Sequence, residues 1–453
     1  MAQQKTGHPS DVPPVTLALA RRALDYHASS LPGDVIMLAK QCMVDWFSVT
    51  IAALDDAVHA ALFTEADGQG GRGEAHIIGH AGKYPASQAA LVNGATAHAL
   101  DFDDVNLAIS GHPSAVIFSA VLALAERQAS SGGDLLAAFV AGYETACRVG
   151  RLVCPDHLQR GFHATGTVSS FGAAAGCAHL LKLDARQTAA AMGIAGTQAS
   201  GLKAMFGTMV KPLHAGLAAR NGLEAALFIR QGFDSRVDIL ECPMGFAATH
   251  SSDFNIDEAL GEEPGGFHLR NNLFKYEASC YGTHAAMECA RQLKKKHRFE
   301  VRDIDSVRVR ADRSIDTICN IQRPSTGMQG KFSIRLNVAF ALLGMDTGKI
   351  ESYSDRAVNT ADALALRDKV VVELMDGWPS MQSEVAIELK NGDSHVCIFD
   401  AGIANGDLED QGVRLDRKFR RLVTASLGPD RTEELLGALH RLEHMPDLAN
   451  LLR

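Results

Sequence analysis

Three times in this chain a basic residue stands just ahead of an apolar helical run: His112-Pro113, His163-Ala-Thr165 and Lys211-Pro212. Proline is tolerated at the first helical position, where the backbone N–H has no partner in any case. A helix start carries unpaired N–H groups and partial positive charge, so it favours anions. A cationic side chain beside such an end, repeated three times, points to a pocket for carboxylates or phosphates.

A second cluster lies upstream, in His98-Ala-Leu-Asp101-Phe-Asp103-Asp104. His98 and Asp101 are three apart and share a helix face, as do Asp101 and Asp104. Aspartates at a helix C-terminus oppose its dipole, so a cation must compensate them, and His112 is the nearest in sequence. An aspartate held close to cations is either a poised base or an orienter for an imidazole. The same residues could equally cap turns, and His112 or His163 alone could be structural.

Lys211 at a helix start, with His214 one turn on, is electrostatically costly unless an anion arrives. Further along, Lys275-Tyr276-Glu277-Ala278-Ser279-Cys280 precedes a helical run carrying His284. A thiol ahead of a helix can act as acid, base or nucleophile, or simply be a small buried residue. No phosphate loop of the G-x-x-x-x-G-K-[ST] or G-x-G-x-x-G kind is present, and no H-E-x-x-H or paired-Cys metal motif.

These residues need a scaffold, and apolar spacing of three and four supplies one. It predicts helices over 36–54, 114–128, 134–152, 165–182 and 212–231. Gly132-Gly133 and Gly232 punctuate the joins. Near Glu262-Glu263-Pro264-Gly265-Gly266 the texture changes. Val307, Val309 and Ala311 alternate with polar residues as a half-buried strand does. Val385, Ile387 and Leu389 alternate too, then Asn391-Gly392 offers a hairpin turn before Val396 and Ile398. Helices are expected at about 280–295 and 330–345. The reading is a mainly α protein with an inserted α+β lid domain: 1–266 helical, 267–400 α+β, and 401–453 returning as helices to complete the first domain. In that tail Leu415, Phe419, Leu422 and Leu436 are expected to be buried.

Length and composition fit this plan. At 453 residues the chain exceeds a comfortable single core, and 46% hydrophobic with 21% charged residues is ordinary for a globular protein. A net charge of −9 argues against nucleic acid or an anionic membrane as partner. An anionic substrate must therefore be drawn by a local cationic site. The nine cysteines are scattered and odd in number, which reads as reduced thiols in a cytoplasmic protein. Residues 1–14 are polar and expected to be loose, without the apolar stretch of a signal peptide; no later run is expected to span a bilayer.

Taken together, His98-Ala-Leu-Asp-Phe-Asp-Asp104, Gly111-His-Pro-Ser114, Gly161-Phe-His-Ala-Thr-Gly166, Lys211-Pro-Leu-His-Ala-Gly216 and Lys331-Phe-Ser333 resemble the MmgE/PrpD family in kind and order. That family includes 2-methylcitrate dehydratases, cis-aconitate decarboxylases and iminodisuccinate epimerases. The resemblance implies a homodimer and carbanion chemistry beside a carboxylate, on a small di- or tricarboxylic acid, without metal or organic cofactor. Carried over residue by residue, it implies an active site of Asp101, His112, His163, Lys211 and Lys275; the residues themselves add Cys280 as a catalytic candidate, and Asp104, Lys275, Thr165, His214 and His284 are expected to bind substrate. Within that scheme His112, oriented by Asp101, transfers the proton. Three positions depart from the dehydratase and decarboxylase pattern: Val105, Cys280 and Leu336 stand where those enzymes tend to carry Thr, His and Tyr. The Asp101–His112 spacing, Phe206-Gly-Thr-Met209, Ser279-Cys280-Tyr281 and Lys331-Phe-Ser-Ile334 with Asn337 are similar to the iminodisuccinate epimerase branch. Epimerisation is accordingly the first expectation, with a dehydratase- or decarboxylase-like lyase as the alternative.

Overall fold

The computed structural model describes residues 14–448 and Leu451. Residues 1–13 of the polar opening segment fall outside the described residues. The chain divides into two compact units, one running to Phe274 and resuming at Gly406, the other spanning Lys275–Asn405.

The first unit is built on helices Gly33–Ala52, Ala86–Ala99, Pro113–Gln128, Gly132–Val153, Ala164–Leu180 and Val210–Arg230. Alanine and glycine fill their contact faces, which lets backbones approach closely. The tightest crossing joins Ala86–Ala99 to Val210–Arg230: a Cβ on Gly216 would sit 2.2 Å from the Leu91 carbonyl oxygen, and one on Gly94 would sit 3.0 Å from the Gly216 Cα. That crossing brings the end of the first helix, with His98, to the start of the second, with Lys211.

The late helix Leu408–Leu427 packs on Gly33–Ala52, and Leu415, Phe419, Leu422 and Leu436 are buried as expected. Its Lys418 is 1% exposed. The ammonium donates to Asp45 Oδ1 at 2.6 Å and to the Phe102 carbonyl at 2.8 Å, and lies 3.8 Å from the Phe102 ring centroid. A cation over a desolvated aromatic face gains a further attraction.

Two sequence expectations need correction. Residues 267–274 belong with the helices, not with the second unit. A 3-10 turn at His268–Asn271 sends the N–H groups of His268 and Leu269 onto the buried Glu144 carboxylate at 3.0 and 2.9 Å, and Leu273 bridges Val105. At the other end, residues 401–405 stay with the second unit, where the Ala401 N–H donates to Met381 and its carbonyl accepts from Tyr281. The boundaries are therefore 275 and 405. The second correction concerns Gly33–Ala52, which is long and apolar enough to cross a membrane by length and composition; in this fold most of it is buried core.

The second unit holds a four-stranded mixed sheet in the order Val370–Met375, Ile304–Asp312, Gln382–Leu389, Ser394–Asp400, with the first pair parallel and the others antiparallel. Val307, Val309, Val385 and Ile387 face helices His284–His297 and Ile334–Leu343 in a shared core. Strand Val370–Met375 has no counterpart in the sequence reading. Its apolar residues run consecutively, Val370-Val371-Val372, and a lone edge strand reached by a crossover carries no hairpin signal. All nine cysteines are free thiols.

Replacing Lys418 by Met strips Asp45 of the ammonium it was folded against. We expect a loss of about 3–5 kcal/mol from the first unit, read from urea unfolding, because removing one partner of a buried pair costs far more than the pair contributes. Adding Asp45→Leu should restore most of it; a single variant as stable as wild type would show the pair to be dispensable.

Candidate active site

Helix Ala86–Ala99 ends in a turn that reverses at Asp101, whose φ of 52° is left-handed. Aspartate tolerates this region better than most residues but still with strain. Behind the turn, Phe102 is fully buried and its carbonyl is held by Lys418. Asp104 turns away from the open side: its Oδ2 accepts from Ser114 Oγ at 2.6 Å, in the first turn of the next helix. His112 caps that helix, with Pro113 at its first position, as the sequence predicts. His163 caps Ala164–Leu180 in the same way. The third helix starts at Val210, so Lys211 and Pro212 lie inside its first turn instead of ahead of it.

These starts are drawn together by small residues and short bonds. The His112 N–H donates to Thr165 Oγ1 at 3.1 Å. A Cβ at Gly111 would lie 2.7 Å from that same oxygen, so only glycine allows the approach. Lys211 Nζ donates to Asp101 Oδ1 at 2.8 Å. His112 Nε2 lies 3.4 Å from that oxygen, while His112 Nδ1 lies 3.3 Å from Asp103 Oδ2. Asp103 in turn accepts from His98 Nδ1 at 2.9 Å. His163 and His214 meet Nδ1 to Nδ1 at 3.1 Å. The His98 ring lies between, 4.5 Å from His112 and 5.7 Å from His163 by centroids.

The expected cluster of Asp101, His112, His163, Lys211, Thr165 and His214 is thus assembled within one unit, with its parts rearranged. Asp101 sits at the Nε2 end of His112, beside Lys211; the carboxylate facing Nδ1 is Asp103. His98 pairs with Asp103, five residues on, and not with Asp101 on its own helix face. Thr165 serves the His112 backbone, and Asp104 faces Ser114. Sequence reasoning missed His98, Asp103 and Lys418. The first two stood inside the quoted motif, while nothing local marks Lys418.

Burial sets the charges. It lowers the His98 pKa to about 4, with the Asp103 carboxylate opposing, so His98 is neutral near pH 7. Burial, then His98 and Lys211, depress His163 well below the ordinary histidine range. His214 is lowered by burial and by Lys211. Asp103 is the reverse case: burial would raise it, yet the facing His112 and His98 hold it well below the usual carboxylate range. Asp104 is pushed up to about 7, by burial first and then by the nearby Asp45. A neutral His163 is a hydrogen-bond donor or acceptor, not a cation.

The second unit carries the remaining candidates. Lys275 is 1% exposed, and Cys280 is buried where a 3-10 turn, Tyr281–Thr283, leads into helix His284–His297. The Cys280 N–H donates to the Lys331 carbonyl at 3.0 Å. The Cys319 thiol is pushed well up by a hydrogen bond with Cys280 and by burial. His284 Nε2 lies 3.3 Å from the Ser279 carbonyl oxygen. Leu336 is fully buried, and Val105 nearly so in the first unit.

Four groups, His98, Asp101, Asp103 and His112, lie within 4.8 Å of one another and form a mixed N/O donor set. The Lys211 ammonium, 2.8 Å from Asp101, opposes a second cation there, and His98 already occupies Asp103. The donors fit a proton-transfer array better than a metal centre.

Comparison with known proteins now bears on this geometry. The MmgE/PrpD N-terminal domain matches residues 17–259, and the MmgE/PrpD C-terminal domain matches 278–443. The chain belongs to the MmgE/PrpD family. Among its MmgE/PrpD relatives, the cis-aconitate decarboxylase-like protein oryM of Aspergillus oryzae is 26% identical across 97% of this chain and 96% of its own length. The cis-aconitate decarboxylase of Aspergillus terreus is 24% identical across 97% and 95%. That of Homo sapiens is 27% identical across 82% and 79%. The N-terminal match lies in the first compact unit and contains the whole His98–Lys211 array, while the C-terminal match runs through the second unit and on into the returning helices of the first.

The pKa of Asp104 gives a stability prediction. Raised from 3.8 to about 7, the folded state keeps a proton that the unfolded chain releases, so this group's favourable contribution is complete at low pH and lost as pH rises through 7. Buried histidines contribute in the opposite sense, so the difference between two proteins is the clean readout. Asp104→Asn mimics the protonated form, and its stability relative to wild type should rise between about pH 5 and pH 8 in urea unfolding. A constant difference would show that Asp104 does not titrate there.

Proposed function

We propose that this chain is a cofactor-independent lyase acting on a small tricarboxylic acid of the cis-aconitate kind, with release of CO2. The observation that carries the reading is His112, an imidazole at a helix start with a carboxylate at each ring nitrogen and the Lys211 ammonium alongside. The names of its MmgE/PrpD relatives support decarboxylation over the other outcomes of the same chemistry.

In decarboxylation of an unsaturated acid, the bond to the leaving carboxylate breaks and CO2 departs. The electron pair left behind shifts through the neighbouring double bond, and the carbon at its far end takes a proton. A group must hand over that proton, and the remaining carboxylates must be held. His112 carries the proton in this proposal. Lys211 and the helix starts at His112 and His163 bind substrate carboxylates. Neutral His163, whose Nδ1 is engaged with His214, presents its other nitrogen as a polar contact for charge that builds during the reaction. Cations and donors placed in advance of that charge are the largest catalytic contribution open to such a site.

A second reading rests on the residues that line up with the departures noted in the sequence. Val105 and Leu336 are apolar and buried, and Cys280 has a thiol neighbour in Cys319. These departures from the dehydratase and decarboxylase pattern favour a dicarboxylate substrate and an epimerase outcome, in which the proton leaves and returns at one carbon.

Proton NMR in D2O with cis-aconitate, citrate, 2-methylcitrate and iminodisuccinate separates the two. We expect CO2 release from cis-aconitate and deuterium at one carbon of an alkene product. Deuterium in iminodisuccinate with stereochemical scrambling and no alkene would replace the lyase by the epimerase. His112→Ala should reduce kcat by about 10²- to 10⁴-fold, the usual worth of a positioned acid or base; unchanged turnover would remove His112 from the mechanism. Activity should survive extensive dialysis against EDTA, and its loss with recovery on adding a divalent ion would turn the His98–His112 cluster into a metal site.

A further inference from the structure

Asp103 is the carboxylate that faces the far side of the proposed proton carrier, and neither the family motif roles nor the domain matches give it a task. It is 1% exposed, and both of its oxygens are engaged by His98 Nδ1, at 3.1 Å to Oδ1 and 2.9 Å to Oδ2. Oδ2 also lies 3.3 Å from His112 Nδ1. One carboxylate oxygen therefore faces two imidazoles, one neutral and buried and the other at a helix start.

We infer that Asp103, braced by His98, is the positioning residue that fixes the tautomer and orientation of His112. The inference deepens the proposed function and rests on it for the role of His112. A carboxylate accepts only, so the proton it stabilises is the one on His112 Nδ1. That leaves Nε2 as the nitrogen that exchanges its proton with substrate. An imidazole in the other tautomer would turn a lone pair toward a buried anion.

Asp101 cannot do this work, because it lies at the opposite ring nitrogen, where its Oδ1 already accepts from Lys211 at 2.8 Å. The groups facing His112 are Asp103 at Nδ1, Asp101 with Lys211 at Nε2, and the ring of His98, which in turn lies 5.7 Å from the His163 ring. The 3.3 Å contact is longer than a formed hydrogen bond and imperfectly aimed. Catalytic hydrogen bonds are commonly long before substrate draws them in. His98 supplies the stiffness: fully buried and held at both Asp103 oxygens, it leaves that carboxylate little freedom to swing away.

The test reads the tautomer directly. Full-length protein labelled with 15N-histidine gives two-bond 1H–15N spectra, with the His112 signals identified by their loss in His112→Gln. At the high-pH end of a titration, wild type should show His112 protonated at Nδ1. Asp103→Asn should shift it toward the Nε2–H form, whereas Asp101→Asn should leave it at Nδ1. With cis-aconitate as substrate, Asp103→Asn should lower kcat by about 10²- to 10⁴-fold with KM little changed, the scale seen when an orienting carboxylate is neutralised. The alkaline limb of its pH–rate profile should move to lower pH, since His112 acts as proton donor and an anion has left the imidazole's side.

An Nε2–H tautomer in wild type would overturn the inference even if no Asp103 variant folds. An Asp103→Asn protein with wild-type tautomer and kcat would overturn it too. His98→Asn keeps a donor toward Asp103 and should keep both tautomer and rate; His98→Leu should lose both. If no acid is turned over, the proposed function fails while the tautomer measurement still decides the role of Asp103.

Discussion

The turn from Asp101 to Asp104 is the constraint on which the site depends. Three aspartates within four residues repel one another and the helix end they follow. The fold separates them by sending each to a different partner: Asp101 to Lys211, Asp103 to His98 and His112, Asp104 to Ser114. A left-handed residue at Asp101 makes this fan possible, and the Lys418 ammonium on the Phe102 carbonyl holds the backbone between them. Remove any one of these and the remaining carboxylates have nowhere lower in energy to go.

The same turn explains how a protein of net charge −9 can hold a local cationic group at its candidate site. Three of its histidines do not contribute charge: burial keeps His98, His163 and His214 neutral near pH 7, so Lys211 and the helix starts are positive elements that do not depend on them. Neutral imidazoles avoid mutual repulsion in a cluster this tight. They also supply donors and acceptors whose direction depends on which nitrogen bears the proton, so hydrogen bonding, more than Coulomb attraction, organises the site.

Much of this was legible in the sequence. The helix starts at His112 and His163 announced themselves through Pro113 and the apolar runs behind them, and His112, Asp101 and Lys211 do meet. The helices of the first unit fell within a few residues of their apolar periodicity, and the hairpin at Asn391-Gly392 was marked by its turn. What could not be read was long-range or directional. Which aspartate faces which imidazole nitrogen depends on one positive φ. Lys418 sits in a charged helix where a solvated lysine is the ordinary case. Strand Val370–Met375 is paired in parallel by a crossover, and residues 267–274 return to the helices through Glu144, 124 residues before His268. In each case the deciding partner is distant in the chain.

The first unit is discontinuous, and Lys418 meets Asp45 across 373 residues of sequence. A chain made from its N-terminus therefore emerges with Asp45 and the Phe102 carbonyl exposed to an environment that cannot yet match them. The whole second unit, Lys275–Asn405, is synthesised before the closing helix exists. Such non-local closure is slow, because the intervening loop must lose its freedom before the contact rewards it. The candidate site thus completes itself last: its oldest residues in order of synthesis wait for the newest, and a nascent chain stalled before Leu408 would hold the clustered histidines without the backbone geometry that aims them.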